Sequence, residues 1–334
     1  MSRYAEAFKK ENLAGPGDAR PTALQIIKDE EREMTMKDKV FLITGSGSGI
    51  GIETTRALAA TGARVYGLVR NVDAAREACT EFLERGRVEL LECDLSSMAS
   101  VRAAAETFKA KSTQLNVLVA NAAVMSIPKR ELSVDGFEMH FATNYLGHFL
   151  LFYLLKDLMV ASATPEFASR VVQVSSASHH VSEINFDDIN WNESYDPKTA
   201  YAQSKLAQIY LANYIERHFT GVHALSLMPG GIRTNILRYT PTAVVEKIMS
   251  SSEFLQKWYK SPAQGAATTV LAAVGRKLEG QGGIYLEDCA VAKVEGQEGA
   301  VIIPSIKGVK ACAFDVEKQE KLWAATVEML KLDA

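Results

Sequence analysis

The sequence lacks an excess of positive charge and lacks any long hydrophobic run. Its 334 residues contain 37 lysines and arginines against 40 aspartates and glutamates, which gives a formal net charge of −3. A nucleic-acid-binding domain carries a clustered basic face, so we expect no nucleic-acid partner. The longest apolar run is Phe149 to Leu155, much shorter than the ~20 residues that cross a bilayer. These absences, with a polar N-terminus that has no leader pattern, predict a soluble cytoplasmic protein without a membrane span.

Cysteine is scarce and scattered. The chain has four cysteines, and none stands in a Cys-x-x-Cys pair or another metal-binding spacing. Zinc sites and redox dithiols typically need such spacing. We therefore expect free thiols in a reducing compartment and no metal site. The four residues are Cys79, Cys93, Cys289 and Cys312.

Beyond residue 37, short apolar runs alternate with segments of helical periodicity. This alternation predicts an α/β fold, in which a doubly wound parallel sheet of seven strands carries helices on both faces. The predicted strands are Val40–Thr44, Arg64–Val69, Val88–Glu92, Asn116–Ala120, Arg170–Ser175, Val222–Met228 and Gly283–Leu286. The main predicted helices are Ile50–Ala60, Ala74–Glu84, Ser97–Lys109, Asp135–Met159, Thr199–Phe219 and Pro262–Val274.

No linker rich in proline and glycine divides the chain after residue 37, so we expect one domain over residues 38–334. Residues 1–37 are a polar stretch broken by Pro16, Gly17 and Pro21. They are expected to form an N-terminal arm that packs on the domain or stays partly mobile. Residues 239–261, between the sixth strand and the next helix, are expected to form a helical excursion on the substrate side.

A glycine-rich turn follows the first strand and opens the first helix of the sheet. Glycines there let backbone N–H groups approach a pyrophosphate, and the helix N-terminus favours its negative charge. The common G-x-G-x-x-G frame fails, because its third glycine falls on Ile50. The pattern present is T-G-x-x-x-G-x-G, from Thr44 to Gly51. The turn therefore predicts a dinucleotide site with a different glycine spacing.

The residue after the second strand indicates which dinucleotide binds. A site for NAD wants a carboxylate there, to accept a hydrogen bond from the 2′-hydroxyl of the adenosine ribose. The strand ends at Val69, and Arg70 comes next. A guanidinium suits a 2′-phosphate, so the sequence favours NADP(H).

Tyr201 and Lys205 stand four residues apart on a predicted helix, which places both side chains on one face. An ordinary phenol has a pKa near 10, and a neighbouring ammonium lowers it. Tyr201 is thus a candidate proton donor or acceptor for a carbonyl–alcohol pair. Ser175 and Ser176 end the fifth strand, at the sheet edge where ligands bind. A hydroxyl there can hydrogen-bond the substrate oxygen.

These motifs, which extend from about Lys37 to Asp288, together resemble the short-chain dehydrogenase/reductase family. The resemblance is strongest to the branch of retinol dehydrogenases and WW-domain oxidoreductases, although this chain has neither a WW domain nor an apolar N-terminal anchor. It implies a single-domain Rossmann fold. The segments that carry the branch resemblance are AYAQSKLA (Ala200–Ala207), RTNILR (Arg233–Arg238) and GGIYLED (Gly282–Asp288).

The resemblance also implies a role for each catalytic residue. Ser176 would bond the substrate oxygen, with Ser175 as the next candidate, and Tyr201 would exchange the proton. Lys205 would bond the nicotinamide ribose and lower the pKa of the tyrosine. Asn144 would hold a water in a proton relay with the lysine.

Further positions match the family's cofactor contacts. Asp94 and Leu95, after the third strand, would lie near the adenine. Asn121 belongs to a segment that the family writes N-N-A-G, and this chain departs from it at Ala120 and Ala123. The full predicted set is Gly45, Ser46, Ser48, Gly49, Ile50, Arg70, Asp94, Leu95, Asn121, Tyr201, Lys205, Pro229, Gly230, Ile232 and Thr234.

We therefore expect an NADP(H)-dependent oxidoreductase that reduces a ketone or aldehyde of a bulky apolar small molecule to an alcohol. Two alternatives stay open: a redox-neutral step such as isomerisation, dehydration or cyclisation, and a dinucleotide sensor without turnover. The family often pairs subunits through the helices that carry Asn144 and Tyr201, and extensions of the chain can block that pairing. A homodimer is therefore possible, and the sequence leaves the oligomeric state open. Candidate walls of the substrate pocket are His179, His180, Trp191 and the residues from Tyr239 through Trp258.

Overall fold

A computed structural model describes residues 2–83, 87–297 and 307–333. Within these residues one sheet has the strand order β3-β2-β1-β4-β5-β6-β7-β8. The first seven strands are parallel, and β8 runs antiparallel to β7. The strands are β1 Val40–Thr44, β2 Arg64–Val69, β3 Val88–Glu92, β4 Val117–Ala120, β5 Ser169–Val174, β6 Val222–Met228, β7 Ile284–Glu287 and β8 Ala290–Val291.

The helices cover both faces of this sheet, which confirms the α/β doubly wound architecture. They are α1 Ala23–Asp29, α2 Gly49–Ala60, α3 Val72–Leu83, α4 Met98–Lys111, α5 Met139–Phe141, α6 Gly147–Ala161, α7 Pro197–His218, α8 Thr242–Ser250, α9 Glu253–Trp258, α10 Pro262–Gly265, α11 Ala267–Val274 and α12 Val316–Met329.

Alternate residues of each strand feed two hydrophobic cores. In β1, Leu42 packs into the core shared with α4, α6, α7 and α12. Its neighbours Phe41 and Ile43 pack into the opposite core, with α1, α2 and α11. Both faces of the strand are buried, which is why the strands read as nearly continuous apolar runs.

The expected count of seven strands is wrong by one. The extra strand, β8, has only two residues and follows a turn in which Asp288 and Cys289 both have positive φ. A strand this short has no alternating pattern to reveal it.

The helix expected over Asp135–Met159 starts later and is not uniform. Glu138 caps it by accepting a hydrogen bond from the backbone N–H of Phe141 at 2.8 Å, so the first helical residue is Met139. A π-helical turn at Ala142–Leu146 then separates α5 from α6, and it contains Asn144. The predicted helix end at Glu84 lies outside the described residues.

The first strand of the sheet is preceded by an ordered N-terminal segment. Helix α1 buries Ile26 and Ile27 in the core beside α2 and α11. At the other end of the chain, α12 packs on α7, and its Trp323 stacks on Tyr214 with 4.0 Å between ring centres. No pattern had indicated α12.

Candidate active site

A cavity of about 730 Å³ opens at the carboxyl ends of the strands. Because β1 and β4 are neighbours while β2 lies on the other side of β1, the connections leave the sheet in opposite directions there and open a crevice. The glycine-rich turn lines one part of the cavity, and residues 236–239 with Trp258 and Tyr259 line another. The cavity therefore joins a phosphate-type cradle to an apolar compartment.

The glycine-rich turn fits a dinucleotide. Gly49, the first residue of α2, has φ +55°, which favours glycine. A Cβ at Gly51 would overlap the carbonyl oxygen of Gly45, so the turn can only be this tight with glycine. Gly45, Ser48, Gly49 and Ile50 line the cavity.

Ser46 does not line the cavity, unlike its neighbours in the turn. It is fully buried, and its hydroxyl donates to the carbonyl oxygen of Ile43 at 3.1 Å. It therefore supports the turn from below.

The next two strands supply polar groups at the same edge. Arg70 lines the cavity and is exposed. Within the described part of the chain its guanidinium has no hydrogen bond or ion pair with a protein group. Asp94 accepts hydrogen bonds from the backbone and the hydroxyl of Ser96 at 2.9 and 2.7 Å, and Leu95 lies beside it on the cavity wall.

Asn121, after β4, has a side-chain oxygen without a hydrogen-bond partner among the described residues. Its Nδ2 donates to the carbonyl oxygen of Thr44 at 2.9 Å. Its Oδ1 is buried and has no partner among the described residues, although the side chain lines the cavity. A buried acceptor in this position suits a ligand that brings a donor, so the residues present fit a nicotinamide dinucleotide.

Tyr201, Ser176 and Lys205 come together on the cavity floor. Ser176 lies close enough to the Tyr201 phenol to affect its pKa, while its hydroxyl donates to Ser178 Oγ at 3.2 Å and accepts from the Ser178 backbone N–H at 3.1 Å. Ser175 points away, and its hydroxyl donates to the carbonyl oxygen of Lys205 at 2.7 Å. Of the two serines, Ser176 is thus the one beside the phenol.

The electrostatics of this group differ from the sequence expectation. Burial raises the pKa of Tyr201 to about 12, and the nearby Ser176 side chain acts in the opposite direction. Burial lowers the pKa of Lys205 to about 7. The expected lowering of the phenol pKa by Lys205 is wrong here, because Nζ lies 5.7 Å from the ring centre and bonds to Val174 instead.

Asn144 lies behind the cavity wall. Its Oδ1 accepts from the backbone N–H of Val124 at 2.8 Å, and its Nδ2 donates to the Val124 carbonyl and the Ser204 hydroxyl. These bonds tie the loop after β4 to α7, the helix of Tyr201. The expected water relay with Lys205 stays a prediction.

The segment after β6 lies across the cavity. Pro229, Gly230, Ile232 and Thr234 all line it. Lys260 fixes the segment from behind, since its Nζ donates to the carbonyl oxygen of Pro229 at 3.2 Å and to Asp288 at 2.9 Å. The segment reaches the glycine-rich turn, where a Cβ at Gly49 would meet the Thr234 side chain.

Of the candidate walls, Tyr239 and Trp258 line the cavity, whereas the residues between them do not. His179 instead bonds the carbonyl oxygen of Ser176 and accepts from the backbone N–H of Lys310. His180 bonds the carbonyl oxygen of Gly308 at 3.0 Å. These histidines hold the C-terminal segment, a long-range contact that no local pattern reveals.

Trp191, the remaining candidate, is buried away from the cavity lining. Other apolar residues take these places, and sequence reasoning had missed them. They are Met125, Met139, Ile236, Leu237 and Tyr259.

A buried pair beside Tyr201 was also missed. His140 Nε2 accepts from the backbone N–H of Ile127 at 3.3 Å, so the ring proton is on Nδ1, which donates to Glu138 at 2.7 Å. Both side chains are fully buried. The imidazole lies edge-on to the Tyr201 ring, with 6.0 Å between ring centres, and so restricts that ring from behind.

Among the described residues, no group of three or more histidine, cysteine or acidic side chains is arranged to hold a metal ion. No helix among these residues has the length and apolar character needed to cross a membrane.

Comparison with known proteins agrees with this geometry. The family model described as short chain dehydrogenase matches residues 39–244. The chain is 53% identical to short-chain dehydrogenase/reductase prx1 of Penicillium roqueforti, over 99% of this chain and 95% of that protein. It is 37% identical to human retinol dehydrogenase 12, over 75% and 78% of the two chains, which confirms the resemblance to that branch.

A solved structure shows the same fold over nearly the whole chain. It is an uncharacterized protein from Mycobacterium paratuberculosis, 29% identical, with a TM-score of 0.69 and coverage of 94% of this chain and 99% of that one. With the cradle, the Tyr201–Ser176–Lys205 group and the family match agreeing, the chain belongs to the short-chain dehydrogenase family of oxidoreductases, whose members use a nicotinamide dinucleotide.

Proposed function

We propose that this protein is an NADP(H)-dependent carbonyl reductase, which converts a ketone or aldehyde of a bulky apolar small molecule to the alcohol. The observation that carries the proposal is the grouping of Tyr201, Ser176 and Lys205 on the floor of a single cavity. The dinucleotide cradle and the apolar compartment line that same cavity. Bound in the cradle, the reduced nicotinamide supplies the hydride.

Arg70 supports NADP(H) over NAD(H). Its guanidinium lines the cavity after β2 and forms no ion pair within the described chain. No carboxylate takes the position that would bind a free ribose 2′-hydroxyl, since Asn71 follows Arg70. A guanidinium with all its donors available can bind a 2′-phosphate through two parallel hydrogen bonds.

Tyr201 is suited to donate a proton. With a pKa of about 12, its phenol is protonated throughout the neutral range. The carbonyl oxygen of the substrate gains negative charge as it is reduced, and a protonated phenol within hydrogen-bond distance can neutralise that charge. The Ser176 hydroxyl, which donates to Ser178 Oγ in this structure, can turn to donate to the same oxygen.

Lys205 is suited to hold a charge that responds to pH. Its pKa of about 7 leaves it partly protonated near neutrality. We assign its ammonium to the nicotinamide ribose and to the supply of positive potential beside Tyr201. In a reducing cytoplasm, the compartment expected from the free thiols, NADPH favours reduction over oxidation.

The apolar compartment supports a bulky, flat substrate. Two methionines and three aromatic side chains line it, and thioether side chains adapt to irregular apolar ligands. Human retinol dehydrogenase 12, a relative at 37% identity, is named for a large apolar alcohol. The lining residues are Met125, Met139, Ile236, Leu237, Tyr239, Trp258 and Tyr259.

The test is NADPH oxidation against a panel of bulky ketones, quinones and aldehydes, with NADH in parallel and Tyr201→Phe as the matched control. We expect turnover with NADPH, alcohol formed in equal amount, and a loss of 10²-fold or more in the phenylalanine variant, as is typical for removal of a general acid. Tight NADPH binding without oxidation across the panel would contradict the proposal and favour a redox-neutral step or a sensor. A preference for NADH would contradict the role of Arg70.

A further inference from the structure

The guanidinium of Arg20 is buried beneath the C-terminal end of α9. The side chain is 2% exposed, and its donors reach protein oxygens in three directions. Nε donates to Asp18 Oδ1 at 2.8 Å. Nη1 donates to the carbonyl oxygen of Trp258 at 2.7 Å, and Nη2 to those of Tyr259, Gly15 and Lys257 at 2.7, 3.1 and 3.2 Å.

These contacts satisfy the end of a short helix. The last carbonyls of a helix have no partner within it, and α9 has only six residues, too few to be stable alone. A cation at this end also interacts favourably with the helix dipole. Arg20 therefore holds α9 in place from outside, and it does so from a position 238 residues away in the chain.

Arg20 is itself rigidly mounted. Gln264 of α10 accepts from the backbone N–H of Gly17 at 2.9 Å and donates to the carbonyl oxygens of Asp18 and Arg20. Burial pushes the pKa of the Asp18 carboxyl upward, but hydrogen bonds from Arg20 and from the backbone N–H of Ala14 outweigh it and hold that pKa below its usual range. The ion pair under α9 is thus charged, buried and fully bonded.

The residues that Arg20 holds belong to the cavity wall. Trp258 and Tyr259 both line the apolar compartment, and their rings meet edge to face, with 5.7 Å between centres. The indole lies so close over Gly231 that a Cβ there would overlap it. A shift of α9 would therefore move the wall relative to Tyr201.

We infer that Arg20 is a positioning residue that shapes the substrate pocket by holding Trp258 and Tyr259 over the segment after β6. The N-terminal segment 14–20 is then part of the substrate site, for a flat apolar carbonyl compound that packs on the indole. The expected effect of Arg20 on substrate binding rests on the proposed function. The claim that Arg20 holds α9 in place does not.

The first experiment compares Arg20→Gln and Arg20→Lys with Arg3→Gln, a control outside the segment 14–20, where the Arg3 guanidinium bonds the carbonyl oxygen of Asp29. For the carbonyl substrate with the highest turnover, we expect Arg20→Gln to raise KM roughly tenfold, because the substitution removes charged hydrogen bonds to the pocket wall. Its kcat and its Kd for NADPH should stay within about twofold of wild type. Arg20→Lys should recover part of the KM, and Arg3→Gln should behave as wild type.

A double-mutant cycle separates positioning from general destabilisation. If Arg20 acts through the indole, Arg20→Gln should raise KM less than twofold in a Trp258→Ala background, because the two changes remove one interaction. Additive effects on KM, or a drop in kcat with KM unchanged, would overturn the inference.

Limited proteolysis needs no substrate. Trypsin should cleave after the exposed Lys257 several-fold faster in Arg20→Gln than in wild type, while cleavage after Lys109 in α4 keeps its rate, since only α9 is released. An unchanged ratio of the two sites overturns the inference even in an active enzyme. If the wild-type protein does not oxidise NADPH with any carbonyl compound of the panel, the proposed function fails. The inference about Arg20 is then decided by the ratio of the two cleavage rates.

Discussion

Lys205 Nζ donates a hydrogen bond of 2.9 Å to Gln208 Oε1, three residues further along α7. A second bond of 2.9 Å goes to the carbonyl oxygen of Val174. Gln208 Nε2 in turn donates a hydrogen bond to Gln173 Oε1. Both partners of the ammonium are neutral, and all these groups are buried. This is why burial dominates, and why the pKa of Lys205 falls to about 7.

The charge of residue 208 should therefore set the pH profile. We expect kcat/KM for NADPH to fall as pH rises through about 7, as Lys205 loses its proton. Gln208→Glu should move that fall upward by about one pH unit or more, because a carboxylate favours the ammonium. Gln173 can accommodate the change, since its Nε2 is buried without a partner among the described residues.

Gln208→Leu is the matched control for this measurement. It removes the acceptor without adding charge, so the fall should move to lower pH. Steady-state rates between pH 5.5 and 9.5 check both variants. Identical profiles in all three proteins would show that Lys205 does not control the rate.

The same lysine should make stability depend on pH. Its folded pKa of about 7 lies below the unfolded value near 10.4, so between these values the unfolded chain binds more protons and stability rises with pH. Below pH 7 the buried charge destabilises the fold in full. Lys205→Met removes the charge, and its Tm should exceed that of wild type by ~2 °C or more at pH 6. That excess should shrink toward pH 9.5 in thermal melts, and a difference independent of pH would contradict the assigned pKa.

The cradle and the Tyr201–Lys205 pair could be predicted because each is a local pattern. Glycine spacing fixes a turn next to a strand, and i, i+4 spacing fixes a helix face. Strand order then brings these local features to one edge without further information. The proposed preference for NADP(H) also depends on one residue, Arg70, next to a strand end.

What could not be predicted depends on contacts between distant segments. His179 and His180 looked like pocket residues, but they bind the backbone of residues 308–310. Arg20 lay in a stretch that reads as a polar arm, yet it holds α9. The pKa of Tyr201 follows from its burial, and the spacing of Tyr201 and Lys205 does not reveal how deeply the phenol is buried.

Arg70 should distinguish the two cofactors. We expect Arg70→Ala to weaken NADPH binding by roughly 10- to 100-fold, the effect of removing hydrogen bonds to a charged group, and to leave the Kd for NADH within about twofold. Arg76→Ala, a change of an exposed arginine on α3, is the control for surface charge. Nicotinamide fluorescence titrations measure all of these constants. Equal losses for both cofactors would mean that Arg70 does not bind the 2′-phosphate.

The C-terminal helix should keep the protein monomeric. The family often pairs subunits through the helices that correspond to α6 and α7, and a stable pair needs more than about 1,000 Å² of interface. Here α12 covers that face: Trp323 lies 4.0 Å from the ring centre of Tyr214 in α7 and 4.6 Å from that of Phe149 in α6. The rings of Phe149 and Tyr214 are thus covered by α12 within the chain, which leaves less apolar surface there for a second subunit.

Light scattering after gel filtration should therefore give the mass of one chain at micromolar concentration. Trp323→Ala should lower the free energy of unfolding by ~3 kcal/mol, as is usual when a large packed aromatic is removed, and it should expose the rings of Phe149 and Tyr214. We expect this variant to self-associate as concentration rises, whereas Tyr239→Ala, at the exposed mouth of the cavity, should not. A wild-type dimer that dissociates on substitution of residues elsewhere would show that α12 leaves another face free for pairing.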